Sequence, residues 1–179
     1  MREDKSRLMY YAMYGGVFLG LFWMLKYLFV VVADRIPALS IFGSFLAVGT
    51  PLILFYFLVK YKTAIVNNNM GYWHGVQFGI MLFFFASIPE AVTVFVNITW
   101  FDTAYIGIFY DELIDTVKQL DMGDTLVKLL EEQPLPSTAN FVFGNVIMAD
   151  VFRGVILSLL VVPFALRFTR KSSIINRNS

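Results

Sequence analysis

Four ionisable residues lie inside otherwise apolar stretches, and they are where this chain could do chemistry: Lys26, Glu90, Asp150 and Arg153. At the centre of a membrane helix each would cost roughly 2.5–3.5 kcal/mol on insertion scales. Such residues therefore usually face the interior of a helix bundle and pair with one another. Two cations and two anions allow complete pairing. Their types predict one intramembrane charge network, which could fix helix packing or bind a proton or cation.

The spacing of these residues suggests how they pair. Asp150 and Arg153 are three residues apart, so they share one helix face and can pair locally. Glu90 then pairs with Lys26 or shares Arg153. If Lys26 instead extends to the outer interface, Glu90 is shared with Arg153 or protonated. The preferred arrangement is a Lys26–Glu90 pair beside an Asp150–Arg153 pair.

Three further residues mark the same helices as unusual. Pro89 directly precedes Glu90, Asn97 follows on the same predicted polar stripe, and Pro51 interrupts an earlier apolar segment. A proline inside a helix removes one backbone donor and kinks the helix. Interrupted helices line the binding sites of many transporters, although an ordinary packed kink explains these prolines equally well.

Small residues form two predicted helix-packing edges. Gly71, Gly75 and Gly79 recur every four residues, and Gly16 and Gly20 repeat that spacing near the start of the chain. Glycines at this spacing let two membrane helices approach closely. The edges could serve packing within the bundle or dimerisation.

The elements that must position these residues are membrane helices. The 179 residues are 58% hydrophobic and 15% charged, with a mean hydropathy of +0.68, whereas soluble domains are about 45–50% apolar and about 25% charged. A bilayer core about 30 Å thick is crossed by about 20 helical residues. The sequence predicts an all-α polytopic membrane protein, a single membrane domain over 1–179. Its four predicted transmembrane helices cover about 8–32, 39–59, 74–100 and 138–166.

The distribution of Lys and Arg predicts the orientation. Nine of these residues fall in the two tails and the second connection, against three on the other side. This bias places both termini in the cytoplasm, with several crossings of the membrane between them. The connection of about 101–137 is then outside and carries two short amphipathic helices. It holds eight acids and two lysines, so it is either a solvated lid or a negative vestibule that concentrates cations.

Several kinds of site are excluded or unsupported. The chain has no Cys and one His, which excludes thiol catalysis and metal sites built from Cys or several His. No nucleophile–base constellation is present, and a net charge of +1 leaves no basic footprint for nucleic acid. We therefore predict no catalytic residue, no metal, no cofactor and no nucleic-acid partner.

The order of features resembles one bacterial membrane family. The first helix contains YYAMYGGVFLGLFW, the third opens with GYWHGVQFG, an acidic loop follows, and the chain closes with FGNVIMADVFRGVILSLLVVPFALRFTRK. This layout resembles the family called domain of unknown function 4199. The resemblance implies a four-helix integral membrane protein of the bacterial inner membrane and brings no catalytic residue with it. The Asp150 and Arg153 pair departs from the family's pattern.

Two functions from different classes remain. The first is a non-enzymatic assembly or accessory bundle, in which the charged layer fixes helix register and the choice of partner. The alternative is a small oligomeric transporter coupled to protons or cations, with Glu90 as the ion site. In both cases the expected partners are the lipid bilayer and another copy of the chain or a membrane protein. The sequence favours the first.

Overall fold

The structure is a computed structural model that describes residues 2–33, 38–121 and 123–168, and those residues form helices without a strand. The α-helices are α1 Arg2–Ala33, α2 Ala38–Ala64, α3 Tyr72–Val96, α4 Tyr105–Gln119, α5 Asp124–Glu132, α6 Thr138–Val142 and α7 Ala149–Arg167. Helix α3 continues into a π-helical turn, Asn97–Phe101, and a second π-helical segment, Phe143–Met148, joins α6 to α7.

Three helical stretches among the described residues are long and apolar enough to cross a membrane: Ser6–Tyr27, Tyr72–Phe101 and Thr138–Arg167. They coincide with the first, third and fourth predicted spans. The all-α fold is therefore confirmed, and its apolar helices are compatible with a membrane protein. The second span, which falls on α2, stays a prediction. The link 34–37 and the C-terminal tail beyond residue 168, which supplied part of the orientation argument, lie outside the described residues.

The long helices form a ring in which α1 packs on α3, α3 on α7, α7 on α2 and α2 on α1. Glycines set the register between α1 and α3. A Cβ placed on Gly16 would lie 2.6 Å from the Leu82 carbonyl oxygen, and one on Gly20 would lie 2.5 Å from the Ala86 carbonyl oxygen. The residue numbers on α1 and on α3 both increase by four from the first contact to the second, so the two helices run in the same direction.

The contact between α3 and α7 is equally close and runs the other way. Gly75 faces Val162, Gly79 faces Ser158, and Phe83 faces Gly154, where a Cβ on the glycine would lie 2.5 Å from the Phe83 Cβ. The residue number rises by four on α3 while it falls by four on α7. The two helices are therefore antiparallel, with small residues alternating between them.

The end of the bundle that carries α4 and α5 is called the loop end. There, Gly123 separates the two helices with a φ of 99°, a conformation that glycine adopts without strain. A hydrogen bond of 2.8 Å from Lys118 to Glu131 joins them and raises the pKa of Lys118. Phe109 packs edge-on against Phe141, with ring centroids 5.2 Å apart, which ties α4 to α6. That α4 and α5 lie along the outer membrane face stays a prediction.

At the opposite end, Lys62 is buried rather than free in a loop. Its ammonium group donates to the carbonyl oxygens of Ala165, Leu166 and Phe168 at the end of α7. The last carbonyls of a helix lack partners within the helix and carry partial negative charge. Lys62 therefore caps α7 and connects it to α2.

Candidate functional site

The ionisable residues of the membrane helices meet in two adjoining cavities near the loop end. Both cavities are lined by Tyr27, Glu90 and Arg153, which come from α1, α3 and α7. The smaller one, about 240 Å³, adds Trp23 and Lys26. We call the two cavities together the chamber.

The larger cavity of the chamber, about 420 Å³, reaches the loop helices. It adds Asp150 from α7, Asn145 from the π-helical segment, and the aromatic rings of Tyr105 and Phe109 from α4. The acidic connection thus contributes part of the chamber wall. All four charged residues that the sequence singled out line the chamber, although they come from three different helices.

The packing between α3 and α7 positions the acids of the chamber. One more step of four residues beyond the Phe83–Gly154 contact brings Ser87 opposite Asp150, and both side chains are buried. Glu90 lies three residues beyond Ser87, on the same face of α3. The alternation of small and large residues therefore fixes which acids meet.

Asp150 is the most deeply buried charged group of the chamber, with 1% of its side chain exposed. Its Oδ1 accepts a hydrogen bond of 2.6 Å from Nη1 of Arg153, so the predicted local pair is present. Its Oδ2 is also buried and has no hydrogen-bond partner among the described residues. Glu90 lines the same cavity as Asp150, across the contact between α3 and α7. Two carboxyl groups can share a hydrogen bond only if one of them carries a proton.

The preferred pair between Lys26 and Glu90 is wrong. Among the described residues, no carboxylate oxygen lies within 4.0 Å of the Lys26 ammonium group. The register explains the difference, because Gly20 is level with Pro89. Lys26 is six residues beyond Gly20 towards the loop end, whereas Glu90 is one residue beyond Pro89. Lys26 therefore acts on Glu90 across the chamber through its charge.

Neither Pro89 nor Asn97 lines the chamber, although Pro89 directly precedes Glu90. Asn97 opens the π-helical turn that follows α3. The Pro89 ring packs on Gly20, and the Pro89 carbonyl oxygen accepts a hydrogen bond of 2.9 Å from Thr93. Pro51 interrupts α2 and lines neither cavity of the chamber.

The predicted packing glycines are used inside the chain, with one exception. Gly16 and Gly20 contact α3, and Gly75 and Gly79 contact α7. Gly71 caps the start of α3, and a Cβ there would meet nothing within 4 Å. The predicted ladder on α3 is therefore one glycine shorter, because its first member precedes the helix.

Sequence reasoning missed other parts of the site. None of Tyr27, Tyr105 and Asn145 was placed in the site from the sequence, although all three line the chamber. Tyr27 directly follows Lys26, which was a usable signal, but the π-helical segment that presents Asn145 has no sequence signature. No group of three or more His, Cys, Asp or Glu residues in the described part of the chain could hold a metal ion.

Comparisons with known proteins identify a family. No curated protein and no solved structure matches the chain. A family model described as "Protein of unknown function (DUF4199)" matches residues 14–167. This stretch holds the charged residues, the packing glycines and both π-helical segments. The chain therefore belongs to the DUF4199 family.

Proposed function

We propose that this chain is a small non-enzymatic carrier of the bacterial inner membrane, coupled to protons through Glu90 and Asp150. The observation that carries the proposal is the position of these two carboxyl groups. They line one cavity between three helices, and the buried Asp150 Oδ2 has no hydrogen-bond donor among the described residues. Intramembrane acids in such surroundings commonly belong to proton pathways.

The proposal places the proton on Glu90. Asp150 already accepts a hydrogen bond from Arg153, and an ionised carboxylate paired with a guanidinium is well stabilised. A proton on Glu90 then supplies the donor that Asp150 Oδ2 needs. Loss of this proton leaves two carboxylates in contact, which repel each other. Proton binding therefore changes the packing force between α3 and α7, as a coupled carrier requires.

The proposal includes α2 as the fourth membrane span, with both termini in the cytoplasm. Helices α1 and α3 run in the same direction, so the chain must return between them. The 27 residues of α2 extend about 40 Å at 1.5 Å per residue, which exceeds a bilayer core of about 30 Å. Four spans put the two termini on one side, which agrees with the bias in Lys and Arg.

Infrared spectroscopy of the protein in lipid nanodiscs tests the proton site. We expect the carbonyl band of a protonated carboxyl group at neutral pH in the wild type and its loss in Glu90→Gln. Glu112→Gln, an exposed acid on α4, is the matched control and should keep the band. The same band in wild type and Glu90→Gln would refute the proton site.

Transport is tested in proteoliposomes that contain a pH-sensitive dye. Amino acids, monocarboxylates and inorganic ions are added outside, one class at a time. We expect at least one class to acidify the lumen faster in the wild type and in Glu112→Gln than in Glu90→Gln or in protein-free liposomes, which give the rate of unaided permeation. Helix content from circular dichroism must be equal in all three proteins. No solute-dependent acidification in any of them would count against a carrier.

The assembly role that the sequence favours is the second candidate. The Asp150–Arg153 pair supports it, because a buried ion pair can fix the register of packed helices. This role predicts that Glu90→Gln leaves every flux unchanged and that the wild-type protein co-purifies with a membrane partner.

A further inference from the structure

The charges around Glu90 do not balance once Glu90 carries a proton. Lys26 and Tyr27 face Glu90 from α1, Asp150 and Arg153 from α7, and Tyr105 from α4. The Asp150–Arg153 pair is neutral as a unit. With a proton on Glu90, the positive charge of Lys26 has no counter-charge among these groups. A lone charge at this depth is costly, so the chamber then favours a monovalent anion.

Unused donors in the chamber show where that anion would sit. The described hydrogen bonds of the Arg153 guanidinium use one of its five N–H donors, on Asp150, and 64% of its side chain is exposed. The Lys26 ammonium has no carboxylate within 4.0 Å among the described residues. Lys26 and Arg153 line the same cavity of about 240 Å³. Cationic donors at one cavity suit the oxygens of a carboxylate or a phosphodiester.

The chamber also has room for the organic part of such an anion. The rings of Trp23 and Tyr27 line its smaller cavity, and those of Tyr105 and Phe109 line its larger one. Pockets for small organic ligands typically combine apolar or aromatic walls with a few polar groups.

We propose that the chamber binds a small organic monoanion between Lys26 and Arg153, together with one proton on Glu90. This inference rests on the proposed proton site and names the class of its solute. The combined uptake of one anion and one proton is electroneutral. Deprotonation of Glu90 restores a negative charge near Lys26 and expels the anion.

Isothermal titration calorimetry in phosphatidylcholine nanodiscs tests this inference, with lactate, pyruvate and benzoate as probes. Binding at equilibrium is chosen because weak acids cross bilayers unaided. We expect the wild-type affinity to fall by roughly tenfold per pH unit on the alkaline side, because one proton is taken up per anion. Repeating the titration above the pH at which the infrared band of Glu90 disappears, in buffers with different heats of ionisation, counts that proton, because Glu90 is then deprotonated before the anion binds.

Two variants separate the anion site from the proton site. Lys26→Gln should weaken anion binding by at least about tenfold, the effect expected from loss of one charged hydrogen bond. Lys128→Gln, an exposed lysine on α5, is the matched control and should bind as the wild type does. Glu90→Gln, which is permanently neutral, should bind the anion with an affinity independent of pH and without proton uptake.

A second experiment tests whether the bound anion is the headgroup of a lipid. Phosphatidylglycerol carries a monovalent phosphodiester, so native mass spectrometry should find it retained by the wild type and lost from Lys26→Gln. Retention of this lipid, without carboxylate binding, supports the same site with a lipid ligand. Binding of neither anion, or binding without proton uptake, overturns the inference. The infrared band of Glu90 can survive that result, so failure of the anion site is distinguishable from failure of the proton site.

Discussion

The close contact between α1 and α3 makes Gly20→Ala a sensitive test of the bundle. The added Cβ would lie 2.5 Å from the Ala86 carbonyl oxygen and 2.9 Å from Cγ of Pro89. A carbonyl oxygen cannot rotate away as a side chain can, so the helices themselves must separate. We expect Gly20→Ala to destabilise the folded bundle.

The magnitude follows from a comparison with a second glycine. Alanine gains up to about 1 kcal/mol over glycine in a helix because the unfolded backbone is less free, and this gain applies at any open helical site. Overpacking of a tight interface costs about 1–3 kcal/mol. Gly107 lies in α4 with nothing within 4 Å of an added Cβ. The difference between Gly20→Ala and Gly107→Ala therefore isolates the overpacking, about 1–3 kcal/mol.

Unfolding in mixed micelles with increasing SDS, followed by circular dichroism, measures this difference. The contact lies within one chain, so the effect should not change with protein concentration. A Gly20→Ala protein as stable as Gly107→Ala would refute the register between α1 and α3. A loss that depends on protein concentration would instead assign Gly20 to a dimer interface.

Three further predictions follow from other parts of the bundle. Lys62→Met should lower the free energy of unfolding by about 1–3 kcal/mol, because carbonyl groups at the end of α7 lose their donor. Lys60→Met changes an exposed neighbour and should lower it less in the same SDS titration. Ser158→Ala should unfold with a free energy within about 0.5 kcal/mol of the wild type, because the buried Oγ of Ser158 has no hydrogen-bond partner among the described residues. A loss of stability above about 1 kcal/mol would show that this Oγ does make a hydrogen bond. A fluorescent protein fused after Ser179 should fluoresce in cells, and alkaline phosphatase inserted at Gly123 should be active, whereas the reverse result would invert the proposed orientation.

The sequence predicted the helices better than it predicted their contacts. Length and composition were enough to locate the apolar segments, because crossing a membrane requires about 20 apolar residues wherever the helix packs. Pairing inside the membrane depends on register, and register is a property of two helices together. The local pair of Asp150 with Arg153 follows from spacing along one helix, so it was predicted. The placement of Lys26 opposite Glu90 depends on the contact at Gly20, so it was predicted wrongly.

Lys62 is a second residue whose contacts could not be predicted from the sequence. In the sequence, Lys62 counts only as one of the positive charges in the second connection. Its partners are carbonyl groups of α7, about a hundred residues away along the chain. Every residue has a backbone carbonyl, so the sequence does not show which carbonyl a lysine will bind. A lysine that caps a distant helix therefore cannot be distinguished by sequence from a lysine in water.

The small residues that pack α3 against α7 also determine where the acids of the chamber lie. Gly79 and Gly154 permit the antiparallel contact of α3 with α7, and the same four-residue step then brings Asp150 opposite Ser87 and next to Glu90. A change in one glycine contact would move every later pair along the two helices. If Glu90 binds a proton as proposed, repulsion between the two deprotonated acids acts directly against the glycine contacts. The proposal therefore predicts that proton binding at Glu90 and helix packing at Gly154 are coupled, so a bulky residue at either glycine should impair proton binding without touching a charged group.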